Sequence, residues 1–130
     1  MSTDNNEQFD VYVVTTFADK ADKEGVTDQA LLNASQEIFA GLFDASLKGS
    51  LIKKRIASGN RNTGKSGGNR AIVSIKRDGK LFFLYLFSKK EKDNISDKEL
   101  NALKEYGELM FSQTEESLCA MLKGGLLRKL

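Results

Sequence analysis

An Asp-Gly pair, Asp78-Gly79, separates two β-branched and aromatic runs at residues 71–76 and 81–88. Asp-Gly between such runs is the strongest short-range hairpin signal a sequence offers, so the two runs are expected to pair antiparallel. The second run reads Leu-Phe-Phe-Leu-Tyr-Leu-Phe over residues 81–87 and shows no polar alternation. That pattern predicts a central strand covered on both faces. It makes Phe82, Phe83, Phe87 and Tyr85 core residues first and binding residues second.

Helices and further strands must supply the cover. Residues 11–17 form a β-branched and aromatic run long enough for one strand. Thr27 and Asp28 resemble an N-cap with a first-turn acid, and Leu31, Ile38, Phe39 and Leu42 recur at helical spacing, predicting an amphipathic helix over residues 28–43. Residues 51–57 alternate: Ile52 and Ile56 point one way along a strand, Lys53 and Arg55 the other. Ser58 to Gly68, with four glycines between Gly59 and Gly68, reads as a flexible loop. Ser96 and Glu99 form an S-x-x-E capping box ahead of Leu100, Leu103, Met110 and Phe111, which predicts a helix from Asp97 to about Ser112. Thr114 starts a second short helix that ends at Gly124-Gly125, leaving residues 126–130 as a tail. Cys119, among Leu118, Met121 and Leu122, is expected to be a small buried hydrophobe. The expected fold class is α+β, a small antiparallel sheet packed against N-terminal helices and a C-terminal helix. Residues 1–8 are expected to be a flexible N-terminus, residues 9–112 the domain, and residues 113–130 a short helix and tail of the same domain.

Composition narrows the chemistry. The chain has 130 residues, 40% hydrophobic and 29% charged, in line with one soluble globular domain. It has no histidine and one cysteine. Ser/His and Cys/His dyads, imidazole ligands, disulfides and thiolate zinc clusters are thereby excluded, and acid-base work falls to carboxylates, lysines, arginines or tyrosines. Residues 1–8 are polar and acidic rather than a basic segment before an apolar one, and the apolar run 81–87 is far short of the ~20 residues that span a bilayer. No membrane association and a cytoplasmic location are expected. The net charge of +2 averages two opposed regions. Between Lys48 and Lys92 thirteen basic residues face two acids, a net +11, and the remainder carries −9. A basic sheet beside acidic helices is the footprint of a phosphate-backbone binder, although a solvated sheet face is the commoner origin of a charge run.

Residues 59–66, Gly-Asn-Arg-Asn-Thr-Gly-Lys-Ser, fit the phosphate-loop pattern G-x-x-x-x-G-K-[ST] letter for letter. The motif works only where Lys and Ser open a helix whose N-terminal amides hold the phosphates. Here Gly67-Gly68-Asn69-Arg70 leads into a β-branched strand, and the hairpin is wrong for a parallel nucleotide-binding sheet. No nucleotide cofactor is expected.

Three blocks carry a family resemblance: Gly49-Ser50-Leu51-Ile52-Lys53-Lys54-Arg55-Ile56-Ala57, Gly64-Lys65-Ser66-Gly67-Gly68-Asn69-Arg70, and Phe87-Ser88-Lys89-Lys90-Glu91-Lys92-Asp93-Asn94-Ile95. Their order and spacing resemble the RelE-like toxins of type II toxin-antitoxin systems, specifically the HigB branch, from about Val11 to the C-terminus. The resemblance implies a small domain that enters the ribosomal decoding site and cuts messenger RNA by attack of a 2′-hydroxyl on the neighbouring phosphate, with no metal or cofactor. It implies a cognate antitoxin, of the helix-turn-helix DNA-binding kind, and the ribosome with its messenger RNA as partners. Crowding a lysine against other cations makes it a usable base, and arginines hold the charge that develops on the phosphate.

Matched residue by residue, the resemblance implies Lys53 as base, Arg55 and Arg70 as phosphate clamps, and Lys90 as a further phosphate contact or acid. Lys54, Arg61, Lys65 and Lys89 would guide the RNA backbone, and Glu91 would orient neighbouring lysines. Some relatives carry a tyrosine or histidine after the last block to serve the leaving group, whereas Asp93-Asn94-Ile95-Ser96 offers neither. The alternative is a non-catalytic domain: a ParE-like gyrase inhibitor, or a degenerate toxin that only binds antitoxin or RNA. A nuclease needs Lys53, Arg55, Arg70 and Lys90 within reach of one phosphate.

Overall fold

The computed structural model describes residues 9–57, 68–76 and 78–130. The chain runs β1 (Asp10–Val14), α1 (Thr15–Glu24), α2 (Asp28–Phe39), β2 (Ala45–Ser46), β3 (Leu51–Ile56), β4 (Asn69–Lys76), β5 (Lys80–Ser88), α3 (Asp97–Phe111), α4 (Glu115–Lys123) and β6 (Leu127–Lys129). The strands form one sheet in the order β2-β3-β4-β5-β1-β6. All pairings are antiparallel except β1 on β5, which is parallel. This is the expected α+β class, with a sheet that is mostly rather than wholly antiparallel.

The Asp-Gly hairpin forms as anticipated. Gly79 takes a positive φ of 97°, which only glycine adopts without strain, and Asp78 Oδ1 accepts from the Lys80 amide at 3.2 Å. The apolar strand β5 lies between β4 and β1, and Leu81, Phe82, Phe83, Leu84, Leu86 and Phe87 are buried. Helices α1 and α2 cover one face: Phe17 of α1 packs on Phe83 at 5.2 Å, and Glu37 of α2 reaches Lys54 of β3. Helix α3 covers part of the other, where Phe111 meets Phe82 edge-on at 5.4 Å.

Gly107 sets the closeness of that second contact. A Cβ placed there would lie 2.5 Å from Ser74 Oγ, and Ser74 is fully buried and hydrogen-bonded to Ser50. Overpacking a filled site costs about 1–3 kcal/mol, so Gly107→Val is expected to lower the unfolding free energy by that amount, seen as a lower urea midpoint at unchanged m-value. An unchanged midpoint would show that α3 moves off the sheet freely.

Several boundaries differ from expectation. The first strand stops at Val14 rather than residue 17, because Thr15–Glu24 is a helix that buries Phe17 and Ala21 and ends at Gly25 in the left-handed conformation. Its spacing of Phe17 and Ala21 with Gly25 beyond was a readable signal. Helix α2 has the expected Thr27 cap, which accepts from the Ala30 amide, but ends at Phe39 instead of residue 43. Gly41 at φ 88° turns the chain away, and Leu42 is left 60% exposed. The capping box of α3 is present in full. The expected tail instead supplies β6, paired with β1, because Leu127 is buried there and the Leu130 amide donates to Val11 O. Cys119 is exposed, not buried, since α4 turns Leu118 inward instead. The glycine-rich loop and the phosphate-loop pattern lie outside the described residues, apart from Gly68; the chain continues from there into strand β4, not a helix.

Candidate nucleic-acid interface

In an antiparallel ladder, residues directly opposite share a face. Arg55 of β3 stands opposite Arg70 of β4, and Arg70 stands opposite Phe87 of β5. The next rung on this face is Lys53, Ile72 and Tyr85. Two arginines and a lysine therefore occupy adjacent positions on the face that carries α3. Lys54, between Lys53 and Arg55, points the other way.

Each cation is held differently. Arg55 pairs through Nε with Asp44 at 3.1 Å and is half exposed. Arg70 Nη1 donates to Gly68 O at 3.4 Å, and the Lys89 amide donates to the same carbonyl at 3.4 Å. This shared acceptor ties the turn after β5 to the start of β4, beside Arg70. Lys89 and Lys90 are exposed on that turn. Lys53 is half-buried. The register thus gathers Lys53, Arg55 and Arg70 on one corner of the sheet, with Lys89 and Lys90 at its rim.

Lys54, expected to guide RNA, is instead buried, because β3 alternates and its side chain enters the α2 interface. Its ammonium meets Glu37 at 2.6 Å and Leu42 O at 2.9 Å, which satisfies a charge that could not be buried alone. Glu91, expected to orient neighbouring lysines, bonds Lys20 on α1, and its other oxygen accepts from the Ser88 amide at 3.2 Å. Lys20 and the Ser88 amide hold the Glu91 carboxyl below the usual range. Arg61 and Lys65 lie outside the described residues.

Tyr85 was expected in the core, but it is half-buried on the cationic face. It stacks with Phe87 at 5.8 Å, and the Lys92 ammonium lies 5.4 Å from its ring centroid. The cause is a bulge: Ile72 faces Tyr85 but Val73 faces Phe83, so Leu84 is an extra residue. Residues two apart, Phe83 and Tyr85, thereby turn to opposite faces. No residue type marks this bulge in an unbroken apolar run, so nothing in the sequence revealed it.

Lys92 connects this face to the α3 cap. Its ammonium reaches Glu99 Oε2 at 2.6 Å, and Glu99 Oε1 accepts from the Ser96 amide at 3.0 Å. The Lys92 bond first, then the Ser96 amide, pull the Glu99 carboxyl down to about 2. A carboxyl lowered in the folded state adds stability above its unshifted value of 4.5 and loses it as the pH falls toward about 2. Glu99→Gln is expected to flatten the acid limb of stability between about pH 5 and the folded value. Urea midpoints measured at intervals across that window test this, and parallel acid limbs in both proteins would contradict it.

Among the described residues, no group of three or more His, Cys, Asp or Glu stands close enough to hold a metal ion, and no helix is long and apolar enough to cross a membrane. A comparison with curated proteins finds no match. Residues 9–130 match the sequence model of a family described as RelE toxin of RelE / RelB toxin-antitoxin system. That match runs over the sheet, the four helices of the described residues and the cationic corner, and membership implies an antitoxin as partner. The chain belongs to the RelE toxin family and is the toxin component of a toxin-antitoxin system.

Proposed function

We propose that the protein is a ribosome-dependent messenger RNA endonuclease of the HigB branch, acting in the cytoplasm without metal or nucleotide cofactor. The observation that carries this reading is the Arg55–Arg70 rung with Lys53 one rung away on the same face. Strands of an antiparallel pair stand about 5 Å apart, so two guanidinium groups on one rung reach the same phosphate. Lys53 takes the proton of the attacking 2′-hydroxyl. Arg55 and Arg70 stabilise the dianionic phosphorane-like state, where fixed donors act most strongly. Lys90, at the rim, contacts the phosphate or protonates the departing 5′-oxygen. Lys89, with Arg61 and Lys65 of the glycine-rich loop, guides the RNA backbone in contacts that weaken with salt. The antitoxin is read as a helix-turn-helix DNA-binding protein that silences this site.

Induced expression with transcript 5′ ends mapped tests the reading. New ends inside translated reading frames, absent when ribosome loading is blocked, are expected. Growth arrest without new ends would leave a non-catalytic binder.

A further inference from the structure

Between α2 and β2 the chain is clipped to β3 at three successive residues. Leu42 O accepts from Lys54 Nζ at 2.9 Å, the Asp44 amide donates to Lys53 O at 2.9 Å, and the Asp44 carboxylate pairs with Arg55 Nε at 3.1 Å. Ala45 then pairs with Lys53 in the ladder. Asp44 is held by its own backbone, and its side chain is 24% exposed against 50% for Arg55. No other side chain among the described residues forms an ion pair with Arg55.

A carboxylate on a cationic face opposes RNA binding by charge alone. It gains a purpose if it fixes an arginine. An unpaired arginine on a surface strand samples many rotamers, and ordering it on binding costs affinity. A carboxylate at Nε leaves the Nη end of the planar fork to meet a phosphate. We propose that Asp44 is a positioning residue that presents Arg55 to an RNA phosphate. This inference rests on reading the corner as an RNA-phosphate site.

The sign of one substitution decides it. By Coulomb attraction alone, Asp44→Asn would tighten binding of a short fluorescent single-stranded RNA about two- to fivefold at low salt. If Asp44 positions Arg55, Asp44→Asn instead weakens binding about three- to tenfold, Asp44→Glu restores most of it, and single-turnover cleavage on programmed ribosomes falls in step. In an Arg55→Ala background the same Asp44→Asn change has only its charge effect and tightens binding. Tightening or no change in the wild-type background overturns the inference, and so does weakening that persists without Arg55, which would mark damage to the fold. If the intact protein binds RNA with this pattern but cleaves nothing, the endonuclease reading falls and the positioning of Arg55 stands. If it binds no RNA, both fall.

Discussion

Replacing Lys53 and Arg70 together by alanine is expected to lower single-turnover cleavage on programmed ribosomes by at least about 10³-fold while leaving the fold intact. A positioned general base is worth roughly 10²–10⁴ and one fixed donor to a developing oxyanion roughly 10²–10³. In the proposed mechanism the two serve one transition state, so their losses would not simply multiply. Both residues are half-buried on a face that α3 covers only in part, and their removal leaves no charge buried without a partner. The thermal midpoint is therefore expected to stay near that of the parent, since surface changes of this kind fall within about 0.5 kcal/mol. Rates that survive the double change would remove these residues from the reaction. Lost activity accompanied by lost cooperativity of unfolding would assign them to the fold.

Phe83→Ala is expected to cost about 3–5 kcal/mol, a large share of the roughly 5–15 kcal/mol available to a domain of this size. Phe83 is fully buried and packs on Phe17, and it joins the sheet to α1. Its cross-strand partner Val73 is also fully buried, so the truncation removes contacts on the sheet side as well as those to Phe17. Urea unfolding measures the loss, with Leu109→Ala as the control: Leu109 is 56% exposed, so its truncation should shift the midpoint little. Equal shifts for the two would mean that the sheet's α1-covered side is not the core that holds this molecule together.

The charge division was readable in the chain, but which cations stay available was not. Lys54 is matched by Glu37, Lys80 by Glu115 at 3.0 Å and Lys92 by Glu99. Lys76 lies 5.6 Å from the Phe111 ring centroid, and Lys48 reaches Asn101 at 2.8 Å. The acidic helices thus engage a good part of the basic segment. Among the described residues, Lys53, Lys89 and Lys90 make no ion pair, and Arg70 is held only by a carbonyl. The partners lie 7 to 53 positions away in the chain and are brought together by helices laid against the sheet, so a charge run read by itself does not show which of its cations will be engaged.

Local chemistry determined the elements that need only near neighbours. Asp78-Gly79 specified a hairpin because its backbone conformation favours that turn. Ser96 and Glu99 specified the start of α3 because the box closes within one turn. Alternation in β3 put Lys53 and Arg55 on one face and Lys54 on the other. Tertiary structure decided the rest. The Leu84 bulge turned Tyr85 out of the core, the β3–β4 register set Arg55 opposite Arg70, and β1 lent the edge that made a strand of residues 127–129. The physical reason is common to all three. Register and edge pairing are selected by the packing of whole layers, and that packing energy is not carried by any short stretch of the chain.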